Sequence, residues 1–269
     1  QLQAVKALPV LLDSLNRGRD VAAAARDAIA ALGEAALPEL KARLADATPE
    51  VRAVVSQLLP AVGGKQSFEL TLDGLRGQPF DAINKVTLSV RHEAREMSEA
   101  QRKVMKTQVL KFLEKKKNLE DEDATRGALK ILGFLELPET QDDLLAFLSP
   151  KQSPLVRMEA ATAMRFACAK GPSKKALRKL MDLLEDPNVH VARGARDSLT
   201  VLKIGTEFAD ELAELCASKD SSVALWAIDH LGTLAVSQKG AAGKLAAKTL
   251  LPVARSGDRA HAEAAAKVV

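Results

Sequence analysis

The stretch Ala124–Gly133, ATRGALKILG, decides the fold, because its helical spelling returns along the chain at a fixed offset. With Leu129 as reference, Met164 in VRMEAATAMRFAC and Leu199 in VARGARDSLTVLKIG hold the same place, so three successive copies stand 35 residues apart. Working outward, Ile29 in AAAARDAIAALG, Leu59 in VRAVVSQLLPAVG and Ile228 in VALWAIDHLG extend the series. An internal period of roughly 20 to 50 residues signals modules that cannot bury an apolar face alone and stack to do so. A chain of 269 residues built this way reads as a single elongated domain spanning 1–269, each module touching its neighbours.

Alanine and leucine dominate, glycine and proline fall mainly between helical stretches, and strand-type alternation is hardly visible, so the chain reads as all-helical. Each module is expected to hold a first helix marked by leucines, as at Leu37, Leu40 and Leu44 or Leu144, Leu145 and Leu148, and a second, alanine-rich helix. The turns Asp46-Ala-Thr-Pro-Glu, Pro150-Lys-Gln-Ser-Pro, Asp186-Pro-Asn and Asp220-Ser-Ser supply capping oxygens and first-turn prolines. Gly33, Gly63, Gly133 and Gly205 are expected to close helices in the left-handed region. The pairs then run over about 3–33, 35–63, 67–96, 98–135, 138–170, 173–205, 206–238 and 240–269. The third and fourth are atypical: Phe80, Ile83, Val86 and Val90 come with few alanines, and Ser98 to Lys117 reads as one long first helix. Ala24 with Ala25, and Ala160 with Ala161, are expected where neighbouring helices approach closely.

The runs Asp46-Ala-Thr-Pro-Glu-Val51-Arg52 and Pro154-Leu-Val156-Arg157 resemble the Asp-x-x-Pro-x-Val-Arg start of the second helix of a HEAT repeat. The resemblance covers nearly the whole chain and is weak over 64–118. It implies a right-handed α-solenoid of about eight stacked helix pairs. It also implies that Val51, Val156 and Val191 enter the core, and that Arg52 and Arg157 pair with turn acids such as Asp46, Asp186 and Asp220. The pattern departs at Ala192, where an arginine should follow Val191, and at Asp121, which takes the valine position. Members of this family are mostly scaffolds whose second helices line a concave surface; some relatives bind DNA, a glycosylase group among them, and others assist chromophore attachment.

Several function classes lose support. An aromatic content of 3% without tyrosine removes the usual stacking partners of bases, sugars and flat cofactors. A net charge of +4 falls short of the concentrated field of a dedicated nucleic-acid binder. His92, His190, His230 and His261 are scattered, and Gly63-Gly64-Lys65 lacks the spaced first glycine of a P-loop and reads as a helix-ending turn. The acidic run Glu120–Asp123 reads as serving a helix N-terminus rather than a metal. Cys168 and Cys216, 48 residues apart, read as small buried apolar residues, with a disulfide as the alternative. No apolar run approaches membrane length and no signal peptide opens the chain. The chain starts at Gln1 in mid-pattern, which reads as a trimmed piece from which a leader could have been removed; the cytoplasm is the favoured compartment.

Aligned second helices place Arg26, Arg126, Lys130, Arg165, Arg193 and Arg196 away from the inter-repeat core, either as a basic stripe or as a solvated face balanced by Asp27, Asp197 and Asp229. Arg102, Lys103, Lys106, Lys111 and Lys115–Lys117 make a second basic set on the long helix, for an anionic surface or simply for solubility. Trp226, one turn from His230, either anchors a partner or fills a gap between repeats. The expectation is a non-enzymatic protein scaffold without cofactor or metal. It would hold an acidic partner segment through Arg126, Lys130, Arg165, Arg193, Arg196 and Trp226; the alternative is a nucleic-acid-binding module using the same stripe.

Overall fold

The computed structural model describes residues 5–15, 17–45, 47–237, 241–254 and 259–267. The fold is all-α, with no strand among the described residues. The chain divides into two compact units, Gln1–Lys170 and Gly171–Val269.

In the first unit, α1 (Leu8–Ser14) pairs with α2 (Arg19–Leu32) and α3 (Leu37–Ala45) with α4 (Pro49–Val62), while α5 (Gly64–Asp73) and α6 (Phe80–Glu96) both pack on α4. Next come α7 (Glu99–Leu113), a single turn α8 (Lys116–Leu119) and α9 (Glu122–Phe134), then α10 (Thr140–Leu145) with α11 (Pro154–Ala167). The second unit holds α12 (Lys174–Asp182), α13 (Val189–Val201), α14 (Ala209–Leu215), α15 (Ser221–Ser237), α16 (Ala241–Ala254) and α17 (Arg259–Ala266). Among the described residues the helices fall near the expected boundaries, although α5 and α6 pack on α4 rather than chiefly on each other.

Local chemistry sets the helix starts. Thr48, Ser153 and Ser173 each accept a backbone N–H three residues on, and Pro49 and Pro154 occupy first-turn positions where no amide is needed. Ser98 and Gln101 form a capping box at α7. The recurring position is core throughout: Ile29, Leu59, Leu129, Met164 and Leu199 have no exposure, and Ile228 has 1%.

In the first unit the second helices form a row in which α2 packs on α4, α4 on α6, α6 on α9, and α9 on α11. The α9–α11 contact is the closest. A Cβ added at Gly133 would lie 2.7 Å from the Ala163 carbonyl oxygen and 3.0 Å from its Cα. Gly133 is therefore a contact residue in the last turn of α9, not the left-handed closure expected; Glu136, at φ 50°, supplies the positive φ instead. Gly205 likewise stands at φ −90°, whereas Gly33 and Gly63, at 57° and 78°, end their helices in the positive-φ region.

Other expectations are corrected by packing. The long first helix stops at Leu113, because Lys115 turns extended before α8 begins. Ala24 is exposed while Ala22 and Ala25 are buried; Ala160 and Ala161 are both fully buried, as expected. Val156 and Val191 enter the core, but Val51 is 41% exposed. Asp46 lies outside the described residues.

Asp121 takes up a turn role in place of the missing valine. Its Oδ1 accepts the Ala124 amide at 3.0 Å and caps α9, while Oδ2 accepts the Gly77 amide at 2.8 Å from the preceding pair. Several cations of α7 are held by the next pair or by their own helix: Lys106 lies 2.9 Å from Asp143, Arg102 donates to the Leu135 carbonyl, and Lys103 pairs with Glu99 at 2.6 Å. The hydrogen bond and charge of Glu99 push the Lys103 pKa up.

Candidate functional site

The row of second helices in the first unit carries a cluster of cations and rings. Helical spacing sets Phe80, Asn84 and Arg91 on one face of α6, and Arg126, Lys130 and Phe134 at four-residue steps on α9. From α11 come Glu159, Arg165 and Phe166.

At the centre, Arg126 is 8% exposed, contrary to the solvent-facing position expected for it. Its Nη1 lies 2.8 Å from Asp123 Oδ1, its Nη2 3.9 Å from Glu159 Oε2, and its guanidinium carbon 3.4 Å from the centre of the Phe80 ring. Lys130 donates to Asn84 Oδ1 at 2.6 Å, with Glu159 Oε1 at 3.9 Å and the Phe80 ring at 5.4 Å. Glu159 is only 4% exposed. Burial raises its pKa from the ordinary value, against the pull of Lys130, Arg126 and Arg165. Charges this deep need partners; Asp123, Glu159 and the Phe80 ring supply them to Arg126, whose Nε has no acceptor.

At the edge the arrangement differs. The guanidinium carbon of Arg91 sits 4.8 Å from the Phe166 ring centre and 5.0 Å from that of Phe134. Arg165 stands 4.5 Å from the same Phe166 ring. Phe134 and Phe166 meet edge to face at 4.9 Å. Among the described residues neither arginine has a hydrogen bond or an ion pair, and the Nε of each is out of water without an acceptor. Two half-buried guanidinium groups are thus held by aromatic faces alone.

The predicted contact residues fall into two sets, one in each unit. Arg126, Lys130 and Arg165 come together as described. In the second unit, Arg193 is well exposed with Asp197 at 3.9 Å, and Arg196 donates to Ser222 Oγ at 2.8 Å. Ser222 donates in turn to Asp220, whose carboxylate accepts the Ser222 and Val223 amides and caps α15. Those bonds hold the Asp220 pKa below its ordinary value, the Ser222 hydroxyl contributing most. Trp226 is half-buried, its ring 4.2 Å from that of His230 on the same helix. Arg26 is exposed on α2.

Sequence reasoning missed Arg91, Phe80, Phe134, Phe166 and Glu159. Arg91 and Phe80 lie in the third pair, whose loose pattern hid their alignment with α9. Glu159 had a legible signal, an acid set directly before the close-packing Ala160 and Ala161.

The acids of the 120–123 run serve helix starts and contacts between helices: Asp121 caps α9, Asp123 pairs with Arg126, and Glu122 accepts from the Ser153 hydroxyl. Among the described residues no His, Cys, Asp and Glu cluster has metal-site geometry, and no helix is long and apolar enough to cross a membrane. Cys168 and Cys216 are both buried free thiols, as read from the sequence; burial pushes their pKa values up to about 12 and about 11. An apolar cavity of about 160 Å³ lies elsewhere in the first unit, lined by Leu59, Pro60, Phe68, Met97, Val104 and Met105 among others.

Residues 109–200 match the HEAT repeats family. No match to a curated protein is found. Among solved structures, the chain is similar to a crystal structure of an engineered protein at 16% identity and TM-score 0.41, covering 99% of this chain and 80% of that one. A second engineered protein gives 18% identity and TM-score 0.39, covering 86% of this chain and 93% of that one. The matched stretch, residues 109–200, carries HEAT-like repeats, and HEAT repeats generally mediate protein–protein interaction.

Proposed function

We propose that this chain is a non-enzymatic scaffold that holds an acidic segment of a protein partner on the face formed by α6, α9 and α11. The observation that carries this reading is the pair Arg91 and Arg165, two guanidinium groups set beside aromatic rings with no carboxylate within ion-pair distance. Arg126 and Lys130 add to the field but spend their contacts on Asp123, Glu159 and Asn84. Leu88 is 55% exposed at a spacing that shares the Asn84 and Arg91 face, giving an apolar contact beside the cations. Arginine forks fit carboxylates in bidentate fashion, and rings that immobilise them beforehand reduce the ordering cost of binding. In the second unit, Arg193 and Trp226 would serve as separate contacts, with Arg196 committed to the α15 cap.

Nucleic acid is the weaker occupant. Its affinity grows with the number of phosphates neutralised along a strand, and here Asp123 and Glu159 interrupt the cations. The test is fluorescence anisotropy with a labelled glutamate-rich peptide and a single-stranded oligonucleotide of equal length. Saturable peptide binding, weakened about tenfold or more by Arg91→Gln/Arg165→Gln, is expected for charge-assisted contacts of this kind. Tighter oligonucleotide binding with a steep salt dependence would reverse the assignment.

A further inference from the structure

We infer that the Arg91, Phe166 and Arg165 cluster is a receptor for a single phosphoryl monoester carried on a side chain of the protein partner. This rests on the acidic-segment reading above and narrows it to one chemical group.

Three helices converge on the site. Arg91 comes from α6, Phe134 from α9, and Arg165 with Phe166 from α11, and both guanidinium carbons lie within 5 Å of the Phe166 ring centre, at 4.8 and 4.5 Å. The paired N–H groups of a guanidinium edge match two oxygens of a phosphoryl group. Both Nε groups are out of water without an acceptor, so the Nη groups are the ones open to a ligand.

Charge favours a phosphoryl group over a carboxylate. Arg126 and Lys130 take up the carboxylates of Asp123 and Glu159. Asp123 is bound to Arg126, and Glu159 lies nearest to Arg126 and Lys130 with its burial favouring the protonated form. Arg91 and Arg165 have no ion pair of their own, Glu159 acting on Arg165 only at longer range, and a monoester carries a charge of about −1.5 to −2 at neutral pH, which a lone carboxylate cannot match. A polyanionic backbone suits the place less, because the cations are gathered into one cluster with acids beside them.

The experiment uses the full chain and three synthetic peptides of glycine and alanine that differ at one residue, being phosphoserine, glutamate or serine, with binding read by isothermal titration calorimetry. The phosphoserine peptide is expected to bind about tenfold or more tightly than the glutamate peptide, as the larger charge and added acceptors imply, and the serine peptide not measurably. Arg91→Lys/Arg165→Lys keeps the charges and removes the forks; it is expected to erase that preference with helical circular dichroism unchanged, and Arg165→Lys alone serves if the double variant loses helicity. If the glutamate and phosphoserine peptides bind equally and the lysine variant weakens both, the phosphoryl assignment fails while the acidic-segment reading stands. If neither binds the unaltered chain, or the lysine variant keeps the phosphoserine preference, the receptor assignment fails. A single-stranded oligonucleotide that outcompetes the phosphoserine peptide with a steep salt dependence overturns both readings.

Discussion

The guanidinium carbon of Arg126 lies over the ring of Phe80, 3.4 Å from its centre, joining the first residue of α6 to the buried face of α9. A cation removed from water is held here by a ring as well as by Asp123. Phe80→Leu keeps an apolar side chain and removes the ring's negative face, so a loss of about 1–2 kcal/mol is expected. Urea unfolding checks it, and the same change in an Arg126→Met background should cost clearly less, since the coupled partner is gone.

Gly133→Ala tests the closeness of α9 and α11. Alanine gains about 1 kcal/mol in helix propensity. The new methyl would meet backbone atoms of Ala163 at 2.7 and 3.0 Å, which no rotamer change relieves. Overpacking typically costs about 1–3 kcal/mol, and contact with backbone belongs at the upper end. A lowered Tm in differential scanning calorimetry is expected; an unchanged or raised one would mean that the helices separate easily.

Glu159 sets a pH dependence. Burial raises its folded-state pKa from the ordinary 4.5, so over the window from about 4.5 upward to that raised value the folded chain binds more protons than the unfolded chain. This group's contribution to stability therefore falls as pH rises through that window. Glu159→Gln removes the titration, and the stability of the variant relative to the parent should increase with pH across the window. Paired denaturant titrations at several pH values read the difference, and parallel profiles would contradict it.

Cys168 and Cys216 should be inert in the folded chain. Thiols pushed to about 12 and about 11 and buried present almost no thiolate near neutral pH. A chromogenic disulfide reagent is expected to titrate neither in buffer and both in guanidinium chloride. Rapid reaction of either without denaturant would show local opening of α11 or of the turn after α14.

Much of this architecture was readable because a single position, Leu129 and its equivalents, must be buried in six of the eight expected modules, three of them 35 residues apart. The candidate cluster was only half readable. Arg126, Lys130 and Arg165 stood out as charged residues in alanine-rich helices, but whether a cation faces water or a carboxylate depends on the neighbouring helix. Glu159 and Phe80, which settle that for Arg126, lie 33 residues after it and 46 before it. Arg91 was hidden for a related reason: its module lacks the alanine pattern, so nothing local aligned it with Arg165. Gly133 misled because a glycine needed for close approach and one needed for a left-handed turn are spelled alike.

Asp121 bears on how freely such a chain tolerates rearrangement. One carboxylate closes the loop after α5 through the Gly77 amide and starts α9 through the Ala124 amide. Duplicating or excising the stretch between those contacts would strand one amide or the other, so the third and fourth pairs are expected to be inherited and transplanted as a block. Engineers lengthening the array should cut elsewhere.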